Sequence, residues 1–134
     1  QYADVRRWGS EAGYCDVLIP QVYFGFENEA APFSETVTEW VQTVTCDSVS
    51  LVIGIGTHKY GKVDQWAGSG SMEWMTQWDL PVRQATQVLE TDGTDGLAVY
   101  DYATTFLPES NAERMAQQVE QLGALLRGMP ADPL

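Results

Sequence analysis

Histidine and cysteine are scarce in this 134-residue chain: one of the first, His58, and two of the second, Cys15 and Cys46. A histidine-based metal cage or a self-contained Ser-His-Asp triad would rest on a single imidazole, so neither is expected. Two cysteines are too few for a disulfide framework, and no second pair supplies zinc spacing. They leave open one bridge in an oxidising compartment or two buried free thiols. No metal and no cofactor is therefore expected. Basic residues are also few. Seven Lys and Arg stand against 19 Asp and Glu, a formal net charge of −12. Such a surface repels phosphate backbones, and the five Arg and two Lys read as scattered, so nucleic acid is not an expected partner. No run of about 18 apolar residues occurs, and no membrane span is expected. The opening "QYADVRRWGS" has no signal-peptide profile and no initiator Met, so it carries no address and reads as the start of a piece of something longer.

What is present suffices for one domain. The apolar set makes up 44% of the residues, enough to bury a core at this length. Periodicity alternates strictly. "ADVRRWGSEAG" suits a helix ending at Gly13, and "CDVLIPQVY" is a short apolar strand. "APFSETVTEWVQTVTC" sets Phe33, Val37, Trp40, Val41 and Val44 on one helical stripe, with Pro32 at its start. "VSLVIGIG" is a second strand, apolar on both faces. After a long loop, "DLPVRQATQVLE" opens a helix with Asp79 as its cap, and "LAVYDY" is a third strand. "SNAERMAQQVEQLGALLRG" closes as an amphipathic helix, with a Ser110–Glu113 capping box and Gly128 at its end. The tail, residues 129–134, carries two prolines and reads as loose.

This order predicts an α/β fold of parallel (β/α) units. A doubly wound nucleotide or signalling domain of this length would hold five strands and a Gly-rich phosphate turn. Neither is found, since "GIGTHKYG" has no helix close behind it. A (β/α)8 barrel runs to about 250 residues, and this chain has the pattern of half of one. Inward-facing positions would include Ile19, Leu51 or Val52, and Val99. Bare inward faces and unpaired edges would then call for a second copy or the missing half as a partner.

One stretch, "DVLIPQVYFGF", is polar where a buried strand should be ending. Gln21 and Tyr23 share parity and so point to one side, while Pro20 interrupts the ladder and signals a bend. At the carboxyl tip of a barrel strand an amide and a phenol suit sugar hydroxyls; the bland alternative is a buried polar pair satisfied by backbone. His58 and Lys59 end the second strand. Asp101 and Tyr102 end the third on opposite faces. Trp8 and Trp40 lie on helix stripes as core. Of Trp66, Trp74 and Trp78, in or beside the long loop, one could serve as a sugar platform; otherwise they pin the loop.

"DVLIPQVYFGFENEAAPFSETVTEWV", followed by "LVIGIGTHKYG" and "DGLAVYDYATTF", resembles the glycosyl-hydrolase-like 10 family of bacterial envelope proteins over roughly residues 1–106. The Pro-Gln-Val-Tyr block is the most specific of the three. The resemblance implies a glycosidase-type (β/α)8 barrel, with residues 1–134 as its C-terminal half carrying strands six to eight. It also implies a secreted or envelope location and a carbohydrate substrate, bacterial or plant. On that reading Gln21, Tyr23, Lys59, Tyr102, His58 and Trp66 line the substrate. Asp101 is the one candidate catalytic acid at a strand tip. Asp101, His58, Glu27 and Glu29 fall outside the family's pattern, so their roles rest on placement. Hydrolysis needs two carboxyl groups about 5–5.5 Å apart for retention or about 6.5–9.5 Å for inversion. No such pair is evident, so the isolated chain is expected to be inactive. The alternative is a non-catalytic carbohydrate-binding or scaffold protein.

Overall fold

A computed structural model describes residues 3–128; the tail at 129–134 lies outside them. Three strands, β1 (Val17–Leu18), β2 (Ser50–Gly56) and β3 (Gly96–Tyr100), form one parallel sheet in the order β1-β2-β3. Six α-helices accompany them among the described residues: α1 (Val5–Ser10), α2 (Phe33–Thr43), α3 (Glu73–Thr76), α4 (Leu80–Glu90), α5 (Tyr102–Phe106) and α6 (Ala112–Arg127). The fold is mixed α/β, and the alternation of strand and helix matches the expected order.

Side-chain parity explains how the sheet is covered. Leu51, Ile53 and Ile55 of β2 point to one face. There they are sealed by Phe33 and Val37 of α2, Ala85 and Val88 of α4, and Leu122 of α6. Each such side chain contributes about 1.5–3 kcal/mol by leaving water, which makes this layer the main support of the fold. The α2 stripe stands as expected, with Phe33 and Val37 buried and Trp40, Val41 and Val44 packed at the margin. The opposite face is bare of helices among the described residues. Ile19 on it is 54% exposed and Tyr100 50%.

The register corrects one of the inward positions, Val99, and decides between Leu51 and Val52 in favour of Val52. Ile53 pairs with Leu97, and Ile55 with Val99, so Leu51 and Val99 belong to the helix-covered side. Val52, Gly54 and Gly56 share the bare face with Gly96, Ala98 and Tyr100. Pro20 acts as its chemistry demands. The regular pairing of β1 stops at Leu18 and resumes as a single bridge between Gln21 and Gly54. The Pro20 carbonyl still accepts from Gly54 N at 2.9 Å, and Val22 N donates to Gly54 O at 2.8 Å. A Cβ on Gly54 would stand 2.8 Å from that carbonyl, so the bridge requires glycine there.

Several caps differ from expectation. α1 ends at Ser10, before Gly13, and is capped by Asp4, which accepts from Arg7 N at 3.1 Å. Ser110 and Glu113 form no capping box: Asn111 takes the N-cap of α6 in the left-handed region, φ 58°, without a side-chain bond. Asp79 holds the N-cap of α4 but makes no capping bond and instead lies 3.7 Å from Arg83. A true capping box forms at α5, between Asp101 and Thr104. Both cysteines are free thiols with separate partners, Cys15 donating to the Trp8 carbonyl and Cys46 meeting the Ser48 hydroxyl.

Candidate functional site

The carboxyl ends of the three strands bring three rings together on the bare face. Tyr23 follows β1, His58 follows β2, and Tyr100 closes β3. Tyr23 stacks on Tyr100 with centroids 5.4 Å apart, and His58 meets both edge-on at 5.2 and 5.4 Å. Gly56 makes the arrangement possible. A Cβ there would lie 2.7 Å from His58 Cε1 and 3.1 Å from Tyr23 Cδ1, so only glycine lets the rings lie over the strand end. The strand tips are also latched. Thr57, buried, donates its N–H to the Tyr100 carbonyl at 2.7 Å and shares hydroxyl contacts with Thr104 and Thr105 at 2.8 Å.

The electrostatics follow from burial. His58 is held below the ordinary histidine range, first by burial and then by the neighbouring Lys59 ammonium; the Tyr100 carbonyl and Asp101 oppose this. Its buried Nδ1 has no hydrogen-bond partner among the described residues. A neutral imidazole has one donor and one acceptor nitrogen, and Nδ1 is the one that is turned inward. The Tyr23 phenol is raised, chiefly by burial, and stays protonated as a donor near neutral pH.

Four acids near the strand tips, Asp101, Glu27, Glu29 and Glu73, have structural partners, whereas Glu109, which borders a hollow with Thr57 and His58, has none among the described residues. Asp101 accepts from Thr104 N at 2.8 Å, and that bond is the main cause holding its carboxyl below the usual range. It is therefore ionised at neutral pH as a helix cap, which suits it poorly to donate a proton. Glu27 accepts from Gln77 and Glu29 from Ser69 N. Glu73, only 2% exposed, takes the N–H groups of Phe26 and Glu27 on its two oxygens, each at 2.9 Å. This carboxylate clamps the loop after β1 to the loop after β2. Burial pushes it up, and the two N–H bonds pull it back down.

The expected site residues divide. Tyr23 and His58 meet in the ring cluster, with Gln21 exposed on the same face. Lys59 is bound into its own loop, its Nζ 2.6 Å from the buried Asp64 carboxylate. Trp66 stands 80% exposed on that loop. Tyr102 lies outside the cluster, in α5, where its ring packs on Phe106 at 5.0 Å. Tyr100 takes the place beside Tyr23, because β3 ends two residues earlier than a strand running through Tyr102 would. The alternation Ala98, Tyr100, Tyr102 was the signal available for it. Glu73 had no signal, being one acid among Met and Trp.

The chain is 32% identical over 80 residues to proteins named glycosyl hydrolase DigH from Escherichia coli K12, Escherichia coli O157:H7 and Shigella flexneri. The match covers 60% of this chain and 17% of each of those proteins. No protein-family model and no solved structure matches it. The likeness to a glycosyl-hydrolase-named protein is thus partial and distant, and it points weakly to a carbohydrate-active role.

Proposed function

We propose that this chain is an arc of a (β/α)8 barrel of an envelope or secreted carbohydrate-active protein, and that it supplies the sugar-binding side of the site. The observation that carries the reading is the Tyr23–His58–Tyr100 cluster at the carboxyl ends of parallel strands, on the face without helices. In barrels of this kind that end of the sheet carries the site. Strands taken in sequential order with helices on one face only suit a barrel wall, whereas a doubly wound sheet is covered on both faces. Phenol and imidazole edges give hydrogen-bonding groups for sugar hydroxyls, and ring faces pack on pyranose C–H groups. The partial likeness to a glycosyl hydrolase supports the substrate class.

A second reading, a binding protein without turnover, is favoured by one observation. Asp101, Glu27, Glu29 and Glu73 all serve loop or cap hydrogen bonds. That leaves Glu109, beside Thr57 and His58, as the one unengaged acid near the strand tips among the described residues, so at least one member of a hydrolytic pair has to come from other strands. The test is the full encoded protein against a panel of bacterial-wall and plant glycans, with hydrolysis and binding measured together. Turnover that falls with Tyr23→Phe and Tyr100→Ala at unchanged melting temperature supports the enzyme. Binding that falls with the same changes, without any turnover, supports the second reading. No binding and no turnover across the panel refutes both.

A further inference from the structure

The two lysines of the chain, Lys59 and Lys62, stand in one loop beside its only histidine. On a surface of net charge −12 that placement is a local reversal of sign. The two lysines differ in their partners. Lys59 is neutralised by Asp64, whose side chain is almost wholly buried. Asp64 also accepts from Trp66 N at 3.3 Å, and its own N–H donates to the Ser71 carbonyl at 2.9 Å. Asp64 therefore fixes the backbone that presents Trp66, with its charge already matched. Lys62 is exposed and has no ion-pair partner among the described residues. Lys62, His58 and Trp66 line one cleft of about 400 Å³. The cleft's only acid is Asp64, so its excess charge is that of Lys62. Glu109 lines a separate hollow of about 270 Å³ that His58 and Lys62 also border.

An exposed indole beside an unmatched ammonium is a combination with a chemical meaning. A pyranose lying flat on Trp66 directs its equatorial substituents sideways, toward the cleft wall. A carboxylate among them would meet the one charge there that is not already paired. From this we infer that Trp66 and Lys62 form a subsite for an acidic sugar, with Lys62 the residue that selects a carboxylate-bearing ring over its neutral counterpart. This rests on the carbohydrate reading above and names the class of ring.

Titration calorimetry on the full encoded protein tests it with two matched pairs of probes. One pair is tetragalacturonate and its methyl ester. The other is an N-acetylglucosamine tetramer with and without lactyl carboxylates on alternate rings. The acidic member of at least one pair should bind about two- to fivefold more tightly at low salt, as an exposed charge-assisted contact allows. That preference should shrink as salt rises. Lys62→Gln should bring the acidic-to-neutral ratio close to one, while Arg127→Gln, which removes the same charge at the far end of α6, should leave it intact. Trp66→Ala should weaken both members of the pair. Equal binding of acid and neutral forms by the natural protein, or a ratio that survives Lys62→Gln, overturns the inference and leaves the carbohydrate reading standing. Binding to neither pair removes both.

Discussion

Replacing Glu73 is the sharpest test of how the site's loops are held. Its two oxygens accept from Phe26 N and Glu27 N, both at 2.9 Å, inside a contact that water does not reach. Alanine leaves two buried donors unpaired, at about 1–3 kcal/mol each, so Glu73→Ala should cost about 2–6 kcal/mol. Glutamine separates charge from geometry. A carboxamide keeps one acceptor and turns an N–H₂ toward the second donor, so Glu73→Gln should cost about 1–3 kcal/mol although it removes a buried charge. In urea a loss of about 2 kcal/mol moves the midpoint by about 1 M at a slope typical of small domains. The pH dependence has a definite sign. Glu73 is raised in the folded state, mainly by burial. Its titration therefore contributes stability present below its unfolded value, about 4.3, and lost as pH rises through the folded value. A protonated carboxyl still keeps acceptor lone pairs on both oxygens, which glutamine does not. The deficit of Glu73→Gln should thus be largest near pH 4 and narrow toward pH 7. A glutamine variant as stable as the natural protein at pH 7 would refute the clamp, whereas a deficit that widens with rising pH would show that the two N–H bonds outweigh burial.

Gly56→Ala places a methyl 2.7 Å from His58 Cε1. It should lower glycan affinity several-fold while costing under about 1.5 kcal/mol, because the imidazole can swing aside; calorimetry and a urea melt check both. His58 is lowered in the folded state, so it contributes stability present above its unfolded value of about 6.5 and lost as pH falls through the folded value. The stability difference between the natural protein and His58→Gln should accordingly shrink as pH drops below about 6.5, measured as urea midpoints. The 134-residue chain by itself should self-associate through the bare face of its sheet, more tightly as salt screens its acidic surface. Light scattering across a salt series checks this, and a compact monomer at every concentration with a cooperative melt would count against a barrel arc.

The strand and helix order was legible because the signals were local and periodic. Leu51, Ile53 and Ile55 alternate, Phe33 and Val37 repeat at helical spacing, and each element answers to one face. Strand ends were not legible at the level of single residues. Nothing in "VYDYATTF" shows that Thr57 will hold the Tyr100 carbonyl and that Asp101 will cap α5, yet those bonds stop β3 at Tyr100 and exclude Tyr102 from the ring cluster. The same holds for Lys59 and Glu73. Their partners, Asp64 and the N–H groups of Phe26 and Glu27, are set by how two loops fold on each other. Sequence could nominate Tyr23 and His58 because parity and strand position sufficed; it could not tell a charge that meets a ligand from one already matched inside a loop.

The small residues on the bare face turn that distinction into an argument about the site's floor. Glycine in a strand costs about 0.5–1 kcal/mol relative to alanine, and β2 carries two of them, Gly54 and Gly56, in seven residues. Both lie on the bare side, with Gly96 and Ala98 beside them, whereas the covered side of β2 holds Leu51, Ile53 and Ile55. A sheet selected only for stability has no reason to thin one face while filling the other. Gly54 answers to the Pro20 carbonyl and Gly56 to the His58 and Tyr23 rings, so the lost strand propensity is offset by close approach at the strand tips. The rings therefore rest on a floor of backbone, and the acids around them hold the loops that form the walls. Under the carbohydrate reading proposed above, such a floor leaves the ring faces free to pack on a sugar. Of the acids at this end of the sheet, Asp101, Glu27, Glu29 and Glu73 are engaged in cap and loop bonds, whereas Glu109, beside Thr57 and His58, is not among the bonded acids.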